Sequence, residues 1–175
     1  ITRQIEGFQR TLKNTSRPII VKVAPVNGAI TNDCFINVKK QIELFGGSIV
    51  YGWRVYEMKN VFLEAEFHAV WKSPQGALKD VSINPDGANY GVFIPDMKKT
   101  FTGNRVMNIH YPLRRLDSLE GFIKICREVF EREEIVLRNV PYNTPYVRSS
   151  DPELQALDIK KTNAELRLLS DISGL

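Results

Sequence analysis

Cysteine and histidine are scarce in this chain, with two of each among 175 residues. Two cysteines do not make a disulfide scaffold, so Cys34 and Cys126 are expected as a reduced pair in a cytoplasmic protein, with a single bridge, or a secreted protein, as the alternative. No run approaches the roughly 18 apolar residues of a membrane span, and Ile1-Thr2-Arg3-Gln4 lacks a signal-peptide pattern. The chain opens without an initiator Met, as a processed fragment does. Charge of one sign is not concentrated either: 24 Lys and Arg against 20 Asp and Glu leave a net charge of +4, and no basic run alternates with aromatics. Neither a nucleic acid nor a membrane is therefore expected as a partner. The glycines at 46, 47, 52, 87 and 91 do not follow the order of strand, Gly-rich turn and helix that cradles phosphate, so no nucleotide and no other cofactor is expected.

What is present suffices for one ordinary core, since 43% of the residues are hydrophobic. Ile5, Phe8 and Leu12 recur at helical spacing between Thr2 and Leu12. Ile19 to Val23 is a short β-branched strand. From Asp33 to Phe45 the residues Phe35, Val38, Ile42 and Phe45 mark a helix, capped by Thr31, Asn32 or Asp33 and stopped by Gly46-Gly47. Cys34 thus falls in its first turn. Strands are expected at Ser48–Glu57, Phe62–Trp71, Ala77–Val81 and Tyr90–Ile94, with a further one within Asn104–Tyr111. Asp117-Ser118-Leu119-Glu120 reads as a capping box opening a helix from Ser118 to about Arg132, whose apolar stripe contains Cys126. A linker over 141–150 follows. The tail starts at Asp151-Pro152, and Thr162-Asn163-Ala164-Glu165 forms a second capping box. The expected organisation is a core over 1–140 and a linker with helical tail over 141–175, the tail docking on the core, a second copy or a neighbouring domain.

The polar residues of the strands carry the chemistry. Lys72-Ser73-Pro74-Gln75-Gly76 has turn character, so the flanking strands form an antiparallel hairpin. With Trp71 facing Ala77, His68 stands opposite Asp80 on one face. A carboxylate beside an imidazole fixes its tautomer and favours its protonated form, as the base partner of a nucleophile requires. Cys34 is the candidate nucleophile, because the unsatisfied N–H groups and positive dipole end of a helix start favour a thiolate and can steady an oxyanion.

Cys34 at a helix start, His68 in Phe67-His68-Ala69-Val70-Trp71, and Asp80 in Gly76-Ala77-Leu78-Lys79-Asp80-Val81-Ser82 resemble the Cys-His-Asp core of the papain-like and transglutaminase-like cysteine hydrolases. The likeness covers Asp33 to Asp96. The order of Gly52-Trp53, Glu66-Phe67-His68-Ala69-Val70-Trp71 and Asp80-Val81-Ser82 is also similar to that of an uncharacterised bacterial family. Some of its members carry a zinc-chelating label, but the cysteine cluster which that implies is absent here. The resemblance implies an α+β, papain-like arrangement in which the Cys-bearing helix packs on an antiparallel sheet and helices follow at the C-terminal end. It makes Cys34 the nucleophile, His68 the base and acid and Asp80 the orienting residue, with Asn32 and Asp33 placed to assist at the oxyanion. No Gln precedes Cys34 at papain-like spacing, and Phe35 stands where a Trp would follow it.

The expected function is a cysteine-dependent hydrolase or acyltransferase acting on the amide of a protein, peptide or small molecule. Glu66 and Trp53, with Tyr51 and Tyr56, are candidates to contact substrate. Two alternatives remain open: a non-catalytic interaction module using the tail, and a metal-binding hydrolase using Glu64, Glu66, His68 and Asp80, the first three of which share one strand face. Cys126 reads as core and His110 as a surface or structural histidine.

Overall fold

The computed structural model describes residues 1–12, 16–84, 86–140 and 150–173. Helix α1 (Arg3–Thr11) is opened by Thr2, whose hydroxyl accepts the Ile5 N–H at 3.3 Å, and buries Ile5 and Phe8. Strand β1 (Ile19–Val23) leads to helix α2 (Cys34–Phe45), where the Asp33 carboxylate accepts the Ile36 N–H at 3.1 Å and Gly46 ends the helix at φ 69°. Strands β2 (Ser48–Met58) and β3 (Phe62–Lys72) form a long antiparallel hairpin pairing Ser48 with Lys72 and Met58 with Phe62. Short strands β4 (Leu78–Asp80), β5 (Tyr90–Pro95) and β6 (Ile109–Pro112) precede helices α3 (Asp117–Val136) and α4 (Pro152–Ser173).

The strand order is β2-β5-β1-β4-β3-β6, and β2 also pairs with β3, so five strands close into a small barrel with β6 appended to β3. The expected α+β class holds, but the sheet is not wholly antiparallel. Strand β1 runs parallel to β4, pairing Lys22 with Lys79 and Val23 with Asp80. The whole of α2, β2 and β3 supplies the crossover such a pair needs. The β3–β4 register also differs from expectation: Trp71 faces Lys79, and the Ser73 N–H donates to the Ala77 carbonyl at 2.8 Å. Ser73 thus extends the ladder, leaving a three-residue loop of Pro74, Gln75 and Gly76, with Gly76 at φ 88°. Each β4 residue consequently meets β3 two positions later than the longer loop would have it.

Alternation divides the barrel strands between two apolar regions. Val21, Val70 and Phe93, with Ile19, Val50 and Leu78, point inward from all five strands. Trp53, Val55, Leu63, Ala65, Phe67, Ala69, Trp71 and Ile94 point outward beneath α1 and α2, where they pack with Phe8, Phe35 and Val38. Two inward positions are glycine, the first of necessity and the second beside a flexible neighbour. A Cβ on Gly52 would lie 2.3 Å from the Ile94 carbonyl oxygen, and one on Gly91 would lie 3.1 Å from Nη2 of Arg54.

Helix α3 stands against the far end of the hairpin, with Phe122 and Phe62 rings 6.0 Å apart. Neither expected capping box forms. Leu116 is the N-cap of α3, without a side-chain cap bond, and Asp117 lies inside the first turn, where its charge meets the positive dipole end. Thr162 lies mid-helix in an unbroken α4, its hydroxyl donating to the Asp158 carbonyl at 3.0 Å. The tail docks on the core: Leu168 packs with Val61, Phe62, Leu119 and Phe122, and Leu154 and Leu157 pack with Val129. Of the expected linker, residues 141–149 lie outside the described residues. Replacing Leu154 or Leu168 by Ala is expected to cost about 2–5 kcal/mol, read as a lower chemical-denaturation midpoint, with faster amide exchange in α4 than in β3.

Candidate active site

The approach to Cys34 is held by Asn37, a buried residue on α2 whose amide grips one peptide unit twice. Its Oδ1 accepts the Ile30 N–H at 2.7 Å and its Nδ2 donates to the Ile30 carbonyl at 2.8 Å. Asn32 then takes a left-handed conformation, φ 60°, that Asn tolerates better than most residues. Asp33 caps the helix, and Cys34 is its first residue. The first-turn N–H of Cys34 belongs to the set that a helix start leaves without an intrahelical acceptor.

His68 points into the barrel opposite Gly52, whose missing side chain leaves room for the Phe93 ring and the β5 backbone. Continuing the observed β3–β4 register pairs Asp80 with Val70, so His68 and Asp80 are diagonal neighbours on one face. They are not directly opposed as expected, yet long side chains span such a diagonal. Nε2 of His68 lies 2.9 Å from Oδ2 of Asp80, and the other carboxylate oxygen accepts the Ser82 N–H at 3.0 Å. Arg54, at 4% exposure, donates from Nη1 to the same Oδ2, and its guanidinium carbon lies 5.2 Å from the centre of the Tyr56 ring.

Cys34 belongs to the apolar region outside the barrel, whereas His68 faces inside. The two meet because β3 has a gap along one edge: β4 pairs with Trp71 and Lys72, β6 with Phe62 to Ala65, and Glu66 to Val70 lie between. There the Cys34 side chain comes near enough to the imidazole to favour its charged form. Since Nε2 is held by Asp80, Nδ1 is the nitrogen left for the thiol.

Burial opposes a charge on His68, but hydrogen bonds to Asp80 and Cys34, and the charges of both, outweigh it and raise its pKa to about 10. Burial would likewise raise Asp80, yet the His68 hydrogen bond and charge, the Ser82 N–H and the Arg54 charge hold it below the usual carboxylate range. Burial pushes Cys126 up to about 11.

Cys34 lines a cleft of about 630 Å³ between the loop Ile30–Asp33, the loop Asn104–Ile109 and α3. Asn32, Asp33, Glu64, Glu66, Phe67 and Phe101 share its wall. His68, Asp80 and Arg54 stand behind the cysteine, outside the cleft lining.

Several expectations are corrected by their surroundings. Trp53 is not a substrate contact: it is buried beneath the outer face, and its indole N–H donates to Asp96 at 3.2 Å. Tyr56 holds the Arg54 guanidinium over its ring, and Tyr51 packs 6.2 Å from Phe35 and Phe67. Asp33 is engaged as the helix cap. Glu64 accepts from Asn108 at 2.6 Å and lies 3.6 Å from Nε2 of His110. With Glu64 turned to those partners and His68 and Asp80 turned into the barrel, the four expected metal ligands diverge. Among the described residues, no three His, Cys, Asp or Glu side chains gather to hold a metal. No described helix is long and apolar enough to cross a membrane.

No family model, curated protein or solved structure matches the chain.

Two consequences are measurable. A histidine whose folded pKa exceeds its unfolded value near 6.5 contributes its full stability below that pH and loses it as pH rises toward the folded value. The stability difference between wild type and His68→Gln is thus expected to be largest near pH 6 and to shrink steadily up to pH 10 in urea titrations. Asn37→Ala, which orphans the Ile30 peptide, is expected to cost about 1–3 kcal/mol in the same assay.

Proposed function

We propose that this protein is a cysteine-dependent hydrolase or acyltransferase of papain-like type, acting on an amide bond by peptidase, amidase, deamidase or transamidase chemistry. The observation that supports this reading most is one contact chain. A cysteine on the wall of a cleft neighbours an imidazole and favours its charged form, and a fully buried carboxylate holds Nε2 of that imidazole.

In this reading Cys34 and His68 rest as a thiolate–imidazolium pair, the thiol proton already on Nδ1 of His68, and the sulfur bonds to the amide carbonyl carbon. The carbonyl electron pair moves to oxygen, where the Cys34 N–H at the start of α2 is aligned with the macrodipole to receive it. When the C–O double bond re-forms, the C–N bond breaks and the departing nitrogen takes the proton from His68. A thioester on Cys34 remains. Water or an amine, deprotonated by the now neutral imidazole, attacks that thioester and releases the thiolate. Asp80 holds Nε2 throughout, so the ring presents Nδ1 to sulfur and substrate alternately. The aromatic wall of Phe35, Phe67 and Phe101 offers apolar surface beside the reacting carbon.

The test is thiol labelling of native protein with limiting iodoacetamide, each adduct located by mass spectrometry. Cys34 is expected to react at least about tenfold faster than Cys126 at pH 7, and His68→Ala to slow Cys34 by about tenfold or more. Slow labelling of Cys34 that ignores the loss of His68 contradicts the catalytic reading and favours a scaffold that binds a partner without chemistry.

A further inference from the structure

We infer that Arg54 is a positioning residue for the nucleophile: its guanidinium is the second cation that lets a single imidazolium stand between two anions, the Asp80 carboxylate and the Cys34 thiolate. The inference rests on the cysteine-nucleophile reading and deepens it.

The argument is one of charge within a dry compartment. Asp80, Arg54, His68 and Cys34 are 0%, 4%, 5% and 8% exposed. An unbalanced charge among such groups costs several kcal/mol. Asp80 and a protonated His68 would already cancel, and a thiolate added to that pair leaves a buried surplus of negative charge. Arg54 removes the surplus. Two cations then face two anions, and the imidazolium is free to serve the sulfur because it is not the only counter-charge to Asp80.

The geometry fits this role closely. Arg54 and His68 donate to the same carboxylate oxygen, Oδ2, while Oδ1 is taken by the Ser82 N–H. The guanidinium is held against the Tyr56 ring, and Gly91 on β5 gives it space that an alanine would invade. The remaining charge facing this group is Glu66, which lines the cleft and stands opposite Arg54 in the β2–β3 register. Arg54 itself does not line the cleft, so it acts on the reaction only through Asp80 and His68. The always-charged guanidinium suits a site where neutralisation by proton loss would defeat the purpose.

The test compares iodoacetamide labelling of Cys34 at pH 6.5 and pH 9 in wild type, Arg54→Met, Arg54→Lys and Gly91→Ala, with Cys126 as the internal control for an intact fold. Arg54→Met is expected to slow Cys34 on the order of tenfold at pH 6.5 and much less at pH 9. Arg54→Lys, which keeps the charge, is expected to stay within about threefold of wild type at both pH values. Gly91→Ala keeps every charge but crowds the guanidinium, and is expected to fall between Arg54→Lys and Arg54→Met. Arg54→Met labelling at the wild-type rate at pH 6.5, or Arg54→Lys as slow as Arg54→Met, overturns the inference. If Cys126 accelerates in Arg54→Met, the fold has opened and Gly91→Ala decides: a wild-type rate there overturns it. A wild-type Cys34 that is slow and indifferent to His68 defeats the nucleophile reading itself. A fast, His68-dependent Cys34 untouched by Arg54→Met defeats only the role of Arg54.

Discussion

One carboxylate governs this molecule. Asp80 is wholly shielded from water, yet it is ionised, and it stays so because an arginine, a histidine and a backbone N–H all donate to it. Removing one partner from such a cluster leaves the others uncompensated, a loss of about 3–5 kcal/mol. The members come from three strands: Arg54 from β2, His68 from β3 and Asp80 from β4. A slip of one residue in either pairing would turn a charge out of the barrel and an apolar side chain in, so the cluster and the register specify each other. Beside the apolar interior of Val21, Val70 and Phe93, Gly91 leaves the space that the Arg54 guanidinium fills.

The same cluster links the barrel to its surface. Closing five strands isolates the inward face from the outward one, and α2 packs only on the latter. The unpaired stretch of β3 between its contacts with β4 and β6 is where a side chain on α2 meets one that points inward. Had β4 been longer, or β6 begun earlier, that edge would be filled and His68 would have no access to Cys34. The brevity of two strands is thus a condition of the site. Asn37 and Asp33 complete the placement by fixing the loop and the helix start, so that the cysteine sits between the buried cluster on one side and the cleft on the other.

Local signals were legible in the sequence and non-local ones were not. Helix α2 follows from the spacing of its apolar residues, an Asp at its start and glycine at its end, and the strand and helix spans largely follow from pattern. His68 and Asp80 were recognisable as partners because both are polar residues in apolar strands joined by a turn. Their register was not, since it depends on whether Ser73 belongs to the loop or the ladder. The parallel pairing of β1 with β4 joins segments more than fifty residues apart, with no local trace. Arg54 was missed because, in an alternating strand beside Trp53 and Val55, a charged residue reads as solvent-facing; only barrel closure buries it. The signal available was Gly52 two positions earlier, a small residue on the same face. Trp53 erred the other way, an aromatic that is packing and not groove. The capping boxes at Asp117 and Thr162 failed because tertiary packing set where those helices begin.

The central claim is that His68 is held as an imidazolium by Asp80 inside the barrel. The direct measurement is a ¹³C/¹⁵N NMR titration of the His68 ring from pH 5 to pH 10.5, with His110 as the second resonance and Asp80→Asn as reference. The account predicts that His68 keeps imidazolium shifts through pH 8 and titrates near pH 10, and that Asp80→Asn brings its midpoint down. A wild-type His68 titrating near pH 6.5, or one that Asp80→Asn leaves unmoved, would contradict it.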